Sequence, residues 1–228
     1  MSVFTEQMKK VYIVMLDNLL KNADVEYAKN ITDPYLTADS FYRLIRPIEN
    51  IERYNGATKG VIIMPDVPVA FKCPFGKQTK INCFGSEEDI EFCCDYCAEE
   101  CKNYKKSEEE GIAFFFAETT FLTTFEIGNI VLDVYIQELA RPFEDYGSTT
   151  SFSEERIDKA CSCLNSFESS LYDVDPAWMA DFIDSYGEID ANILDVFLTD
   201  HAINDIHNGN IGYVDGRPVI FDYSGYYD

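Results

Sequence analysis

Apolar residues in this chain recur at helical spacing in some blocks and at strand spacing in others, and the order of those blocks restricts the folds open to it. Met8, Val11, Tyr12, Met15, Leu16, Leu19 and Leu20 form one stripe and predict an amphipathic helix over 4–22. A second short helix is expected after Thr37, with Asp39 or Ser40 near its cap, ending near Pro47. Residues 50–76 read as strands: a β-branched run at 61–64, a Pro65-Asp66 turn, and a second run at 67–71. Alternation there sets Lys72 on the face opposite Phe71. A polar loop is expected at 76–90, a helix at 91–110 stopping at Gly111, and strands at 113–116, 120–125 and 131–137, with a Gly128-Asn129 hairpin turn. After a linker at 144–154 come helices at 154–171, 176–186 and 189–203. Strands at 211–214 and 218–223 then flank an Asp215-Gly216 turn. Helices, then strands with one helix among them, then helices and a hairpin make an α+β arrangement. The expected segments are an N-terminal helical extension (1–46), a β-rich lobe (47–143) and a helical lobe (144–228).

Composition narrows the class. Apolar residues make up 46% and aromatics 14% of the 228 residues, enough for a sizeable core and too many for bulk disorder. No apolar run has the length of a membrane span, and the N-terminus lacks a signal-peptide pattern, so a soluble, cytoplasmic protein is expected. The 41 acids against 18 Lys and Arg give a net charge of −23. It is uneven, because residues 142–228 hold 18 acids and three bases. Such a chain is not expected to bind nucleic acid directly, since phosphate backbones need clustered Lys and Arg. The acidity serves solubility, or it engages a basic partner in the manner of a nucleic-acid mimic.

Eight cysteines include Cys94-x-x-Cys97, with Cys73, Cys83 and Cys101 nearby in sequence. The spacing allows zinc ligation or redox chemistry. Cys94, Cys97, Cys101 and Tyr104 also share one helix face, where free thiols act as small hydrophobes.

The densest polar cluster runs from Asn204 to Asn210 and leads into a hairpin ending Phe221-Asp222-Tyr223-Ser224-Gly225. A carboxylate, an amide five residues on, and a carboxylate after a buried strand suit phosphoryl transfer to a hydroxyl. One carboxylate accepts the hydroxyl proton; the amide oxygen and the other carboxylate hold Mg²⁺, which prefers oxygen ligands. The ordinary alternative is loop chemistry, because Asx residues favour helix ends and turns.

This segment resembles the catalytic loop and metal-binding hairpin of the protein-kinase-like superfamily. The His and the Gly-Asn pair in Asp205-Ile206-His207-Asn208-Gly209-Asn210 are closer to the aminoglycoside and choline kinase branch than to protein kinases. The resemblance implies a bilobal kinase-like fold, ATP and Mg²⁺ as ligands, Asp205 as catalytic base, and Asn210 and Asp222 as metal ligands. Val69-Ala70-Phe71-Lys72 is similar to the strand whose Lys pairs the α and β phosphates. Glu100 would be its ion-pair partner, with Glu99 the fallback. The stretch from Gly56 to Gly60 stands where kinases carry a Gly-rich phosphate cover, although it has only two glycines. Backbone groups from Glu138 to Ala140 would read adenine. The pattern around Gly56–Phe75, with the Asp-Tyr-Ser-Gly-Tyr ending, is also similar to small kinase-like proteins encoded by phages of Gram-positive bacteria.

The chain departs from that pattern in two places. Six residues follow Asp222, which leaves no platform for a peptide substrate, and Ile203-Asn204 replace the Arg that usually precedes the catalytic Asp. The expected function is therefore phosphoryl transfer, or AMP transfer, to an unidentified substrate. The competing expectation is a non-catalytic acidic inhibitor on a kinase-like fold that blocks a basic host enzyme, such as a CRISPR effector. His201 is expected to be a structural hydrogen-bond partner, His207 to order its loop, and Trp178 to lie in the core.

Overall fold

The computed structural model describes residues 3–33, 35–81, 87–146, 153–168 and 170–225, and the protein is α+β. It divides into two compact units: Met1–Ala98 with Thr119–Gln137, and Glu99–Glu118 with Glu138–Asp228. No helix among the described residues is long and apolar enough to cross a membrane.

The first unit opens with helices α1 (Glu6–Leu20), α2 (Val25–Asn30) and α3 (Ala38–Ile45). Thr5 caps α1 by accepting the Met8 N–H, and Asp24 caps α2 by accepting that of Tyr27. Thr37 itself is the N-cap of α3, and Ser40 closes a reciprocal capping box with it. Helix α2 has only six residues, too few for a visible apolar period, and sequence reading missed it.

Strands β1 (Glu52–Asn55), β2 (Lys59–Ile63) and β3 (Val69–Pro74) form an antiparallel meander. The turn before β3 has Asp66 at φ 60°, and the Val67 N–H donates to the Met64 carbonyl. The expected loop at 76–90 is instead a pair of strands, β4 (Lys77–Ile81) and β5 (Glu87–Glu91). With one isoleucine in each strand, Ile81 and Ile90, the ribbon offers no alternation for sequence reading to detect. Helix α4 (Tyr96–Glu110) follows, then β6 (Thr119–Ile127) and β7 (Ile130–Glu138). The main sheet has the order β1-β2-β3-β7-β6. Leu16, Phe41, Leu44, Phe71, Leu132 and Val134 meet in its core. Each such side chain contributes on the order of 1.5–3 kcal/mol through burial.

In the second unit, residues 113–115 form a 3-10 turn where a strand was expected. Phe115 and Phe116 are buried and Phe114 is 43% exposed, so the aromatic run does not follow strand alternation. The elements that follow are β8 (Arg141–Pro142), α5 (Phe143–Tyr146), α6 (Glu154–Leu164), α7 (Pro176–Tyr186), α8 (Glu188–Asp200), β9 (Ile211–Val214) and β10 (Arg217–Ile220). Most of the expected linker, residues 147–152, lies outside the described residues. Helices α6 and α8 both stop earlier than their apolar patterns predict, at Leu164 and Asp200. Strands β8, β9 and β10 form one sheet, and Asp215 (φ 50°) and Gly216 (φ 81°) make the β9–β10 turn.

Trp178 is fully buried and donates from its indole nitrogen to the Gly212 carbonyl at 3.1 Å. Asp181, 3% exposed, is paired twice: it accepts from the Tyr213 hydroxyl at 2.8 Å and from Arg156 at 3.0 Å. Arg156 also meets Asp184, so α6 and α7 are tied by one guanidinium.

Candidate functional site

The end of α8 builds the first half of the site. Ala202 takes a left-handed conformation (φ 53°) that closes the helix, while the Ile203 N–H donates to the Leu198 carbonyl at 2.9 Å. Ile203 and Ile206 are each 1% exposed. These two apolar anchors pin a loop whose intervening residues, Asn204 and Asp205, are exposed. His207 is exposed as well, and its Nδ1 accepts the Gly209 N–H at 3.0 Å. It orders the loop as expected. The Asn208 amide oxygen accepts the Asp175 N–H at 2.8 Å, tying the loop to the N-cap of α7.

Asn210 joins the two halves. Its side-chain nitrogen donates to the Asp205 carbonyl. Its own carbonyl accepts the N–H groups of Phe221 at 2.9 Å and Asp222 at 3.4 Å. The expected loop and hairpin residues are thereby held together in one unit, with Asn210 buried and Asp222 half-buried. The segment after Asp222 is fixed from two sides. The Tyr223 hydroxyl donates to the Ala117 carbonyl at 2.7 Å, and the Asn103 amide donates to the Tyr223 carbonyl at 2.9 Å. Gly225 has φ 79°, and a Cβ there would stand 3.0 Å from the Ala202 carbonyl oxygen. Only glycine suits both the backbone conformation and that approach.

An amide oxygen and a carboxylate are the ligand types that a hard divalent cation prefers. Among the described residues there is no group of three or more His, Cys, Asp or Glu able to hold a metal. Cys73 and Cys97 are buried, Cys94 and Cys101 half-buried and Cys93 exposed; Cys83 lies outside the described residues.

The remaining expected residues are placed as follows. Lys72 is on β3 in the first unit, 4% exposed and opposite Val61 in register. Glu100 is on α4 in the second unit and fully buried. Its neighbour Glu99 pairs with Lys102 at 2.5 Å. Gly56 donates its N–H to the Lys59 carbonyl at 2.9 Å, so that group closes the β1–β2 turn. Glu138 exchanges backbone and side-chain bonds with Glu118: its N–H donates to the Glu118 carbonyl at 3.1 Å, and its carboxylate accepts the Glu118 N–H at 2.8 Å. The same carboxylate meets Arg217 at 3.3 Å. Ala140 packs beside Ala117, Val214 and Val219. His201 pairs with Glu110 at 2.8 Å, a structural role as expected.

Sequence reading missed Asn103. The expected face of α4 ran through Cys94, Cys97, Cys101 and Tyr104, yet Cys101 and Tyr104 are only half-buried. The buried positions are Tyr96, Cys97, Glu100, Asn103 and Ser107. Polar residues three and four apart on one helix face were the available signal. Burial beside Glu118 and Glu138 pushes the Tyr104 hydroxyl well above the usual tyrosine range.

Charge also divides unevenly. The second unit holds 25 acids and seven Lys and Arg, a net −18, against 16 acids and 11 bases in the first. No protein-family model matches the chain, and no curated protein is similar to it.

Proposed function

We propose that the protein binds Mg-ATP and transfers a phosphoryl group to a hydroxyl of its substrate. The observation that carries this reading is the Asn210 joint, which hydrogen-bonds to the backbone of both Asp205 and Asp222. Asp205, exposed at the loop tip, accepts the hydroxyl proton. Asn210 Oδ1 and the Asp222 carboxylate hold the cation. When bound, Mg²⁺ neutralises charge on the phosphate oxygens. Adenine falls to backbone groups around Glu138 and Ala140, with the Glu138 N–H already engaged by Glu118.

Titration calorimetry tests it. Wild-type protein with Mg²⁺ should bind ATP at micromolar Kd, and Asp222→Ala should lose at least about tenfold, or about 1.4 kcal/mol. Asp205→Ala should retain ATP binding and lose transfer. Absence of binding at millimolar ATP overturns the reading.

A second reading, favoured by the net −18 of the second unit, is a non-catalytic inhibitor that engages a basic protein. Inhibition that survives Asp205→Ala and weakens with salt supports it.

A further inference from the structure

Helix α8 has two apolar faces. Ala191, Leu194, Phe197 and Leu198 are buried in the core of the second unit. On the other side Ile189 is 76% exposed, Ile193 41% and Val196 57%. Steps of four and three residues set these three in one row, the narrow seam by which helices pack on helices. All three are β-branched, and such side chains lose rotamer freedom in a helix. A solvent-facing row of them lowers helix stability and leaves apolar surface in water.

We propose that this row is a docking surface for a basic amphipathic helix of another protein. The proposal places the acidic-partner reading on a specific surface, rests on that reading, and is independent of nucleotide binding. Charge complementarity selects the occupant. Asp190 stands in the first turn of α8 and Asp200 in its last, which has no Lys or Arg. Asp200 lies at the negative end of the helix dipole, where a cation from a partner is favoured. Nearby Lys159 and Arg156 are already paired, with Glu188 at 2.7 Å and with Asp181 and Asp184. A second copy of this chain is a poor occupant. Two units of net −18 repel, and packing α8 on α8 in either direction sets acid against acid at both ends. A helix with leucines along one face and Lys or Arg beside them buries the row and meets the acids at its ends.

The test uses the full chain and a synthetic helical peptide with Leu at i, i+4, i+7 and i+11 and Lys or Arg at its other charged positions. The control peptide keeps the leucines and replaces each base by Glu. Fluorescence anisotropy at low salt should show binding of the basic peptide alone. The double variant Ile193→Ser, Val196→Ser should weaken it by about tenfold or more, and Asp200→Lys by about threefold or more. Both variants are at exposed positions, and thermal melts establish that they fold. Failure of the basic peptide to bind overturns the proposal, as does equal binding of both peptides. If binding falls with salt but ignores the double variant, the acidic surface attracts the peptide without the row; the docking surface is then wrong while the acidic reading stands. Sedimentation showing a wild-type dimer that the double variant dissociates would make a second copy the occupant and also overturn it.

Discussion

Asn103 shows how much of a site can rest on one side chain that touches no ligand. It is 1% exposed, and its amide holds the backbone carbonyl of Tyr223, the residue after Asp222. Asn103→Leu removes that donor and leaves apolar bulk facing a carbonyl. The expected cost is about 1–3 kcal/mol in urea unfolding. ATP affinity should fall with it, because Asp222 loses a fixed neighbour; unchanged affinity would show that Asn103 only stabilises the fold. The backbone closeness of Asp205, Asn210 and Asp222 was legible in the sequence, because a short loop and a hairpin join them. Asn103 was not, since its partner is 120 residues away. Helix register separates the two neighbours on α4: Glu99 pairs with Lys102 and Glu100 is buried.

The end of α8 meets the C-terminal segment in a contact that two substitutions can probe in opposite directions. Ala202 is left-handed, a conformation that costs a residue with a Cβ roughly 1–2 kcal/mol. Ala202→Gly relieves this and should raise stability by about 0.5–1 kcal/mol, after the entropy cost of glycine. Gly225→Ala adds a Cβ 3.0 Å from the Ala202 carbonyl oxygen at positive φ, and should lower stability by about 1–3 kcal/mol. Equilibrium denaturation of both variants checks the pair. Elements with a clear period were read correctly: the 211–214 strand and the Asp215-Gly216 turn stand where expected. The 113–115 turn and the β4–β5 ribbon were not, because an unbroken aromatic run and a run with one isoleucine per strand both lack the alternation that marks a strand.

For the molecule as a whole, burial sets the response to alkaline pH. Burial, with nearby carboxylates, moves the ionisation of Cys73, Cys163 and Tyr104 to higher pH; burial does the same for Tyr186. In the unfolded chain these groups release protons near the ordinary thiol and phenol values, about pH 9 and about pH 10. The folded state holds its protons to higher pH, so it binds more of them than the unfolded state in that window, and stability must fall as pH rises through it. The melting temperature should be flat from about pH 7 to 8 and drop between about pH 9 and 11, measured in about 0.5 M salt to screen general repulsion. A flat profile through pH 11 would show that these side chains do not ionise on unfolding. Over the same range Cys73 should resist thiol reagents while exposed Cys93 reacts.

Local rules act over a few residues, and they sufficed for much of this protein. Periodicity placed α1 and α7, turn chemistry placed Asp215-Gly216, and spacing gathered Asp205, Asn210 and Asp222. The acidity of the chain is likewise a property of its composition alone. Burial is different, because it depends on what the rest of the chain brings alongside. Packing turned the α4 face from Cys101 and Tyr104 to Glu100, Asn103 and Ser107. It left Ile189, Ile193 and Val196 in water although their apolar character matches that of the buried Leu194 and Leu198. A side chain's hydrophobicity is written in the sequence, but which of two apolar helix faces is covered depends on contacts between segments far apart in the chain.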